Sequence, residues 1–472
     1  MALGTTMWQA PGRRYLVSIL KGLRVLAAAA VVLAPVSAAF EMPAWAATAW
    51  TTPRHIPGST GQANPIGATA RDGTSVVVWA VGTGVGTLNA VHARVRLAGR
   101  ATWRDVPGPL TGSYLQGIVV IPASGGDFWI AYERELSDGF PQVFVSKLDS
   151  SARRWSSPER VFGQRDYGHG GPSIGRAGDG TLVVAAYAPP KVPPPGDPVY
   201  RVAVATKAPG GAWHGRFLTH ADTYAGSQRV AVNSHGDIVV SFIQGYHVGT
   251  FTVRASTKAH GSHATWETRT LSATGDGQFA DPTIDAHGTA AVVWTDNVTQ
   301  KTVRLSTIHV EAAHPAWVRR DVITETAAFT VEPHAVIAPS GHITVVWRRS
   351  TGPEVTLWAR TLAHGSFDAA EQLSPSGEVA EFDGLRQRPD GKAALLYQAF
   401  TPGISSLGLR FRTLSDGVPG PEKQLTGDEA TDGDSNSEYL GIDGHSRATV
   451  IYTRGSYPHT DFAWLAQVTS AP

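Results

Sequence analysis

A cassette of about 53 residues recurs eight times between residue 64 and the C-terminus. A fixed period of that size limits the chain to a stacked or radially repeated architecture. The clearest copy reads Pro282-Thr-Ile-Asp-Ala-His-Gly-Thr-Ala-Ala-Val-Val-Trp294, followed by Val303 to Val310 and then Ala316-Trp317.

Aligned on the turn between its first two strands, the cassette gives Asp72-Gly73, Gly125-Gly126, Asp179-Gly180, His235-Gly236, His287-Gly288, Ser340-Gly341, Asp390-Gly391 and Gly444-His445. Glycine at a hairpin turn supplies the positive φ that other residues resist. The run after each turn is almost wholly apolar, as in Ser75-Val-Val-Val-Trp79 and Ala291-Val-Val-Trp294. Such runs mark strands buried on both faces. The third segment alternates instead (Val253-Arg-Ala-Ser, Val303-Arg-Leu-Ser), which places it nearer the exterior. The fourth opens on Trp103, Trp155, Trp213, Trp266, Trp317 or Phe367, with Val418 in the seventh copy.

Four short strands per unit, with no 3.6-residue apolar period, predict an all-β eight-bladed β-propeller of four-stranded blades. Seven blades is the alternative if one unit is irregular. The eighth unit stops after its third strand, Phe462-Ala-Trp-Leu-Ala466, while an unmatched fourth-strand segment, Ala49-Trp50, precedes the first unit. The expectation is a ring closed by the N-terminal strand completing the last blade, which leaves no open sheet edge.

Arg13, Arg14, Lys21 and Arg24 precede an apolar run from Val25 to Phe40, and Ala44-Trp45-Ala46 fits the small-x-small cleavage rule. Residues 1–46 therefore read as a secretory signal whose apolar run is short for a membrane span, an uncleaved anchor being the lesser reading, and 47–472 as a single propeller domain. The paired arginines also allow twin-arginine export. The expected location is secreted or cell-envelope associated, with no membrane span after cleavage. The leader carries four basic residues and one acid (Glu41), so the whole-chain net charge of +1 becomes −2 beyond it. With no basic cluster in that part, nucleic acid is not an expected partner. The chain has no cysteine, which excludes disulfides, thiol catalysis and cysteine-ligated metals. The remaining 426 or so residues suffice for a core of their own, as a monomer.

The Pro-x5–7-Gly-x3-Val-Val-Trp pattern resembles inner strands of secreted bacterial propellers, loosely including the sialidase-like superfamily. The resemblance implies a propeller over the whole chain beyond the leader, with its ligand site at the mouth of the central channel. The Ser-x-Asp-x-Gly-x-x-Trp boxes of that superfamily have no good copy here. Its Phe/Tyr-Arg-Ile-Pro motif is met only by Arg54-His55-Ile56-Pro57, with an inserted histidine. The resemblance assigns no catalytic residue.

On that face, second-strand ends and inter-blade links would gather acids, arginines and aromatics. The ligand-binding candidates are Glu133, Asp296, Glu332, Arg348, Arg349, Asp383 and Arg454, with His169, Arg229, Asp281 and His334 in the same links. Arginine forks and flat aromatics suit a glycan or another acidic, hydroxyl-rich ligand. The expected function is an exported module binding a glycan or protein. The alternative is a glycan-processing enzyme, a sialidase-like hydrolase or polysaccharide lyase, its carboxylates about 5 to 9 Å apart if hydrolytic. Loop ends that are polar only because they are wet would look the same in sequence.

Two further loops differ from their siblings. Pro189–Pro198 is a stiff, proline-rich insertion in the third unit. Asp432, Asp434, Asn436 and Glu438 alternate oxygen ligands as a calcium site would, a solvated acidic loop being the other reading. No other cofactor is expected. The turn histidines His235, His287 and His445 fall on separate hairpin tips and are explained by turn chemistry.

Overall fold

The computed structural model describes residues 50–467, apart from 52–53, 57–64, 85–86, 164–166, 191–198, 221–223, 246–249, 262–263, 276, 297–298, 313, 327, 403–405, 427–438 and 457–458. The leader, most of the proline-rich insertion and all four candidate calcium ligands lie outside the described residues. Apart from one 3₁₀ turn, Ser124–Gly126, every regular element among the described residues is a strand. No helix among them is long and apolar enough to cross a membrane.

The strands follow the repeat. Each unit is an antiparallel meander, for example Gln278–Ile284, Thr289–Thr295, Thr302–His309 and Val318–Thr324 in order across one sheet. Seven sheets result, because the sixth and seventh meanders share one ten-stranded sheet through a single parallel bridge, Val355 to Val379. This is the blade architecture of a β-propeller. The strand Arg54–His55 pairs with the last strand, His459–Gln467, and completes the meander of the eighth unit.

The second strand of each unit is the buried one, as its composition requires. Residues 393–400, Ala-Ala-Leu-Leu-Tyr-Gln-Ala-Phe, are all buried. Because successive side chains leave opposite faces of a strand, alternate residues serve two different cores. Val183 and Ala185 pack with Ile238, Val240 and Phe242 of the following unit. Val184 and Ala186 pack with Ala131, Val143 and Val145 of the preceding one. The pattern repeats along the chain, so that each core is shared by two neighbouring units. One further core joins Ile451 of the last unit to Val77 and Trp79 of the first, with Ile56 beside them. Backbone contacts cross the same seam: Gly444 N donates to Arg71 O at 2.7 Å, and Thr69 N to the Tyr439 hydroxyl at 3.1 Å.

Candidate functional site

Six of the first strands carry a β-bulge near their start, at the end away from the glycine turn. In unit five, Gln278 pairs with Thr295 and Asp281 with Val293, so Phe279 and Ala280 together oppose the single residue Trp294. Glu332 and Pro333 oppose Trp347 in the same way, Ser227 and Gln228 oppose Phe242, and Gly171 and Pro172 oppose Ala186. Unit two has Gly117 and Ile118 across from Tyr132, and unit seven inserts Asp383 alone. Two residues against one bend the strand and re-aim its side chains. In units two, four, five and six the residue the bulge arches over is aromatic: Tyr132, Phe242, Trp294 and Trp347.

In the five two-residue bulges the first residue is left-handed: φ is 59° at Gly117, 55° at Gly171, 52° at Ser227, 54° at Phe279 and 51° at Glu332. Glycine takes this conformation freely, whereas a bulky side chain is a marked outlier there. At Gly170 and Gly171 space also matters. A Cβ on Gly170 would stand 2.6 Å from both the Glu133 carboxylate and the Tyr187 hydroxyl.

The residue that follows each bulge reaches the next unit. Ser173 Oγ accepts a hydrogen bond from Val230 N at 3.0 Å. Arg229 Nη1 donates to Asp281 Oδ1 at 3.4 Å, and His334 Nδ1 lies 3.0 Å from Asp281 Oδ2. The His334 ring stacks on Phe382 at 3.9 Å and 9°. Ser173, Arg229, Asp281 and His334 thus form a polar belt at equivalent positions of four consecutive units. Burial pushes the Asp281 carboxyl up, but His334, Arg229 and Arg386 outweigh it and hold the group below the usual carboxylate range.

A cavity of about 410 Å³ opens on this belt, lined by Arg229, Phe279, Asp281, Glu332, Pro333, His334, Arg348, Glu381, Phe382 and Asp383. Arg348 Nη1 donates to Glu332 Oε2 at 2.6 Å. Burial, reinforced by the Glu332 charge and opposed by Arg348, raises the Glu381 carboxyl above its ordinary value. A second cavity of about 930 Å³ adjoins the first, sharing Arg229 and Phe279 with it. Its walls are the bulges of units three, four and five together with Val119, Tyr187, Ile243 and Phe251. Burial, with Glu133 nearby, pushes the Tyr187 hydroxyl up to about 12, so it remains a donor at neutral pH.

The structure brings Glu332, Arg348 and Asp383 together in the first cavity, with Arg229, Asp281 and His334 beside them. Three other candidates are engaged elsewhere. Glu133, 6% exposed, accepts a hydrogen bond from Gly171 N at 3.0 Å and supports the third bulge. Asp296 caps its own loop through Thr299 N at 2.9 Å. Arg349 forms a two-pronged pair with Glu325 (2.8 and 3.3 Å) and lies over Trp358. His169 is fully buried and stacked on Phe162 at 4.3 Å. The strand Ala448–Ser456 includes Arg454, whose side chain is outside the described set. Phe279, Glu381 and Phe382 complete the cavity wall without having been singled out in sequence. Among the described residues no group of three histidines or acids is placed to hold a metal.

No protein-family model matches the chain, and no curated protein matches it in sequence. Solved structures similar to it include the Dos1 propeller, at 12% identity over 89% of this chain and 95% of that one, with a TM-score of 0.49. The β-propeller domain of the Trilobed protease from Pyrococcus furiosus is 10% identical over 79% of this chain and 99% of its own, with a TM-score of 0.43. An ulvan lyase bound to -[GlcA(1-4)Rha3S]- is 14% identical over 64% of this chain and 80% of its own, with a TM-score of 0.41. None of these carries an assignment of activity or of site residues to this chain.

Proposed function

We propose that this protein is a glycan-binding propeller, and that the cavity at the bulge level is its binding site. The observation that carries the reading is the convergence of bulge residues from four consecutive units, Arg229, Phe279–Asp281, Glu332–His334 and Glu381–Asp383, on one concave polar surface with aromatic walls. Such a surface offers what a hydroxyl-rich ligand needs, fixed donors and acceptors beside an apolar face. The charges refine the class. Asp281, Glu332, Glu381 and Asp383 outnumber Arg229 and Arg348, and both arginines already face carboxylates. A neutral glycan fits this balance better than an acidic one.

The reading includes eight blades in a closed ring, supported by the pairing of Arg54–His55 with the last strand and by the core shared between Ile451 and Val77. It also includes export by the leader ending at Ala46, supported by the basic and apolar stretches of that leader.

A second reading, a glycan-processing enzyme, is favoured by the Asp281–His334 pair. With Nδ1–H donated to an ionised Asp281, the imidazole presents Nε2 as an acceptor, the tautomer of a general base. A glycan array followed by product analysis tests both. Binding that is lost in Arg348→Ala but kept in Arg349→Ala supports the site. Product release that stops in His334→Gln would make the protein an enzyme. An array without hits would remove both readings.

A further inference from the structure

We infer that the two adjoining cavities form one cleft for a glycan chain of at least two sugar units, with Phe279 as the stacking platform between them. The inference rests on the glycan reading above and extends it to a second subsite.

Three observations converge. Arg229 and Phe279 line both cavities, so a ligand passing from one to the other crosses the Phe279 ring. That ring is 39% exposed, on a residue whose φ of 54° is costly for any bulky side chain. The backbone alone would be better served by glycine or asparagine. An exposed aromatic held in a left-handed bulge at the boundary of two cavities is a surface awaiting an apolar face, and a pyranose presents one. Strain of this kind points from the observed outlier to a functional hypothesis.

The third observation lies in the second cavity. Gln228 lines it and is only 7% exposed. Its Nε2 donates to Gly171 O at 2.5 Å, which fixes which end of the amide is oxygen. The Oε1 is buried and, among the described residues, has no hydrogen-bond partner. A buried acceptor in that state calls for a donor, and a turn of the Gln228 side chain toward the cavity would bring it within reach of a sugar hydroxyl. The other polar side chains there, Ser173, Ser227, Gln278 and Tyr187, are uncharged, so among the described residues Arg229 is the one charge on the wall of this subsite.

The test is calorimetric titration of the full-length protein with neutral gluco-, manno-, galacto- and xylo-oligosaccharides of one to five units. At least one series should gain about tenfold in affinity between one unit and three. Phe279→Ala should abolish the gain with chain length, so that the oligomer binds the variant no more tightly than the monosaccharide does. Phe279→Asn, which accepts the left-handed backbone, should do the same and excludes misfolding as the cause. Affinity independent of chain length, or oligomer binding unaffected by both variants, would overturn the shared cleft while leaving the glycan reading intact. Failure of all four series to bind would overturn this inference, and an array without hits would remove the glycan reading as well.

Discussion

His334 Nδ1 stands 3.0 Å from Asp281 Oδ2, and the two residues occupy the same position of consecutive repeat units. Each is 19% exposed at its side chain, so the pair joins two blades at the rim of the cavity. A hydrogen bond to a charged group in such a place is worth about 1.5–3 kcal/mol. Asp281→Asn should therefore lower the unfolding free energy, read from urea melts, by roughly that amount. The sign of its pH dependence is fixed. The folded carboxyl lies below the unfolded value of about 3.9, so its contribution is present above that value and is lost as pH falls through the folded one. Urea melts between pH 6 and pH 2 should fall more steeply for the wild type than for the variant. Parallel curves would count against the pair.

His169 should give the opposite surface-to-core contrast. Burial, with Arg160 adding to it, lowers its imidazole to about 3, while the unfolded chain protonates near 6.5. The folded state excludes a proton that the unfolded state binds, so stability falls as pH drops from about 6.5 toward 3, by up to about 1.4 kcal/mol per pH unit. His169→Phe keeps a ring against Phe162 and should flatten that slope. Denaturation midpoints at pH 7.5 and pH 5 decide it, and equal losses in both proteins would contradict the assignment.

The bulge at Glu332 separates backbone strain from side-chain function. Glu332→Gly and Glu332→Val both remove the partner of Arg348, but only glycine suits a φ of 51°. The valine variant should be less stable than the glycine variant by about 1–3 kcal/mol. Both should bind glycan more weakly than the wild type. Equal melting temperatures would mean that the left-handed turn is not held in solution.

The repeat was legible because it is written in residues whose physics is local. Glycine at the turns and an unbroken apolar run such as Val76-Val-Val-Trp79 each point to one structure. The site was legible only in part, since a bulge inserts one residue and shifts the alternation on which face assignment depends. Hence Phe279 and Glu381, on strands that read as ordinary first strands, escaped notice, although proline at the second bulge position (Gly171-Pro172, Glu332-Pro333) was a signal available in the sequence. The opposite error has a different cause. Glu133, Asp296 and Arg349 have the composition of site residues, but Gly171 N, Thr299 and Glu325 occupy them, and such partners come together only in three dimensions.

The proposed closed ring makes its own prediction. Ile451 is fully buried in the core shared with Val77 and Trp79. Ile451→Ala should cost about 2–5 kcal/mol and still unfold the whole chain in one transition. Early, separate melting of the last unit would argue for an open array.

Hydrogen–deuterium exchange of the full-length protein, with and without a saturating array-selected oligosaccharide, tests the binding site most directly. The account predicts protection concentrated on 227–229, 279–281, 332–334 and 381–383, extending to 171–173 for longer chains. Protection centred on the outer strands, or on the two loops that hold Asp296 and Glu325 with the bulges unchanged, would contradict it.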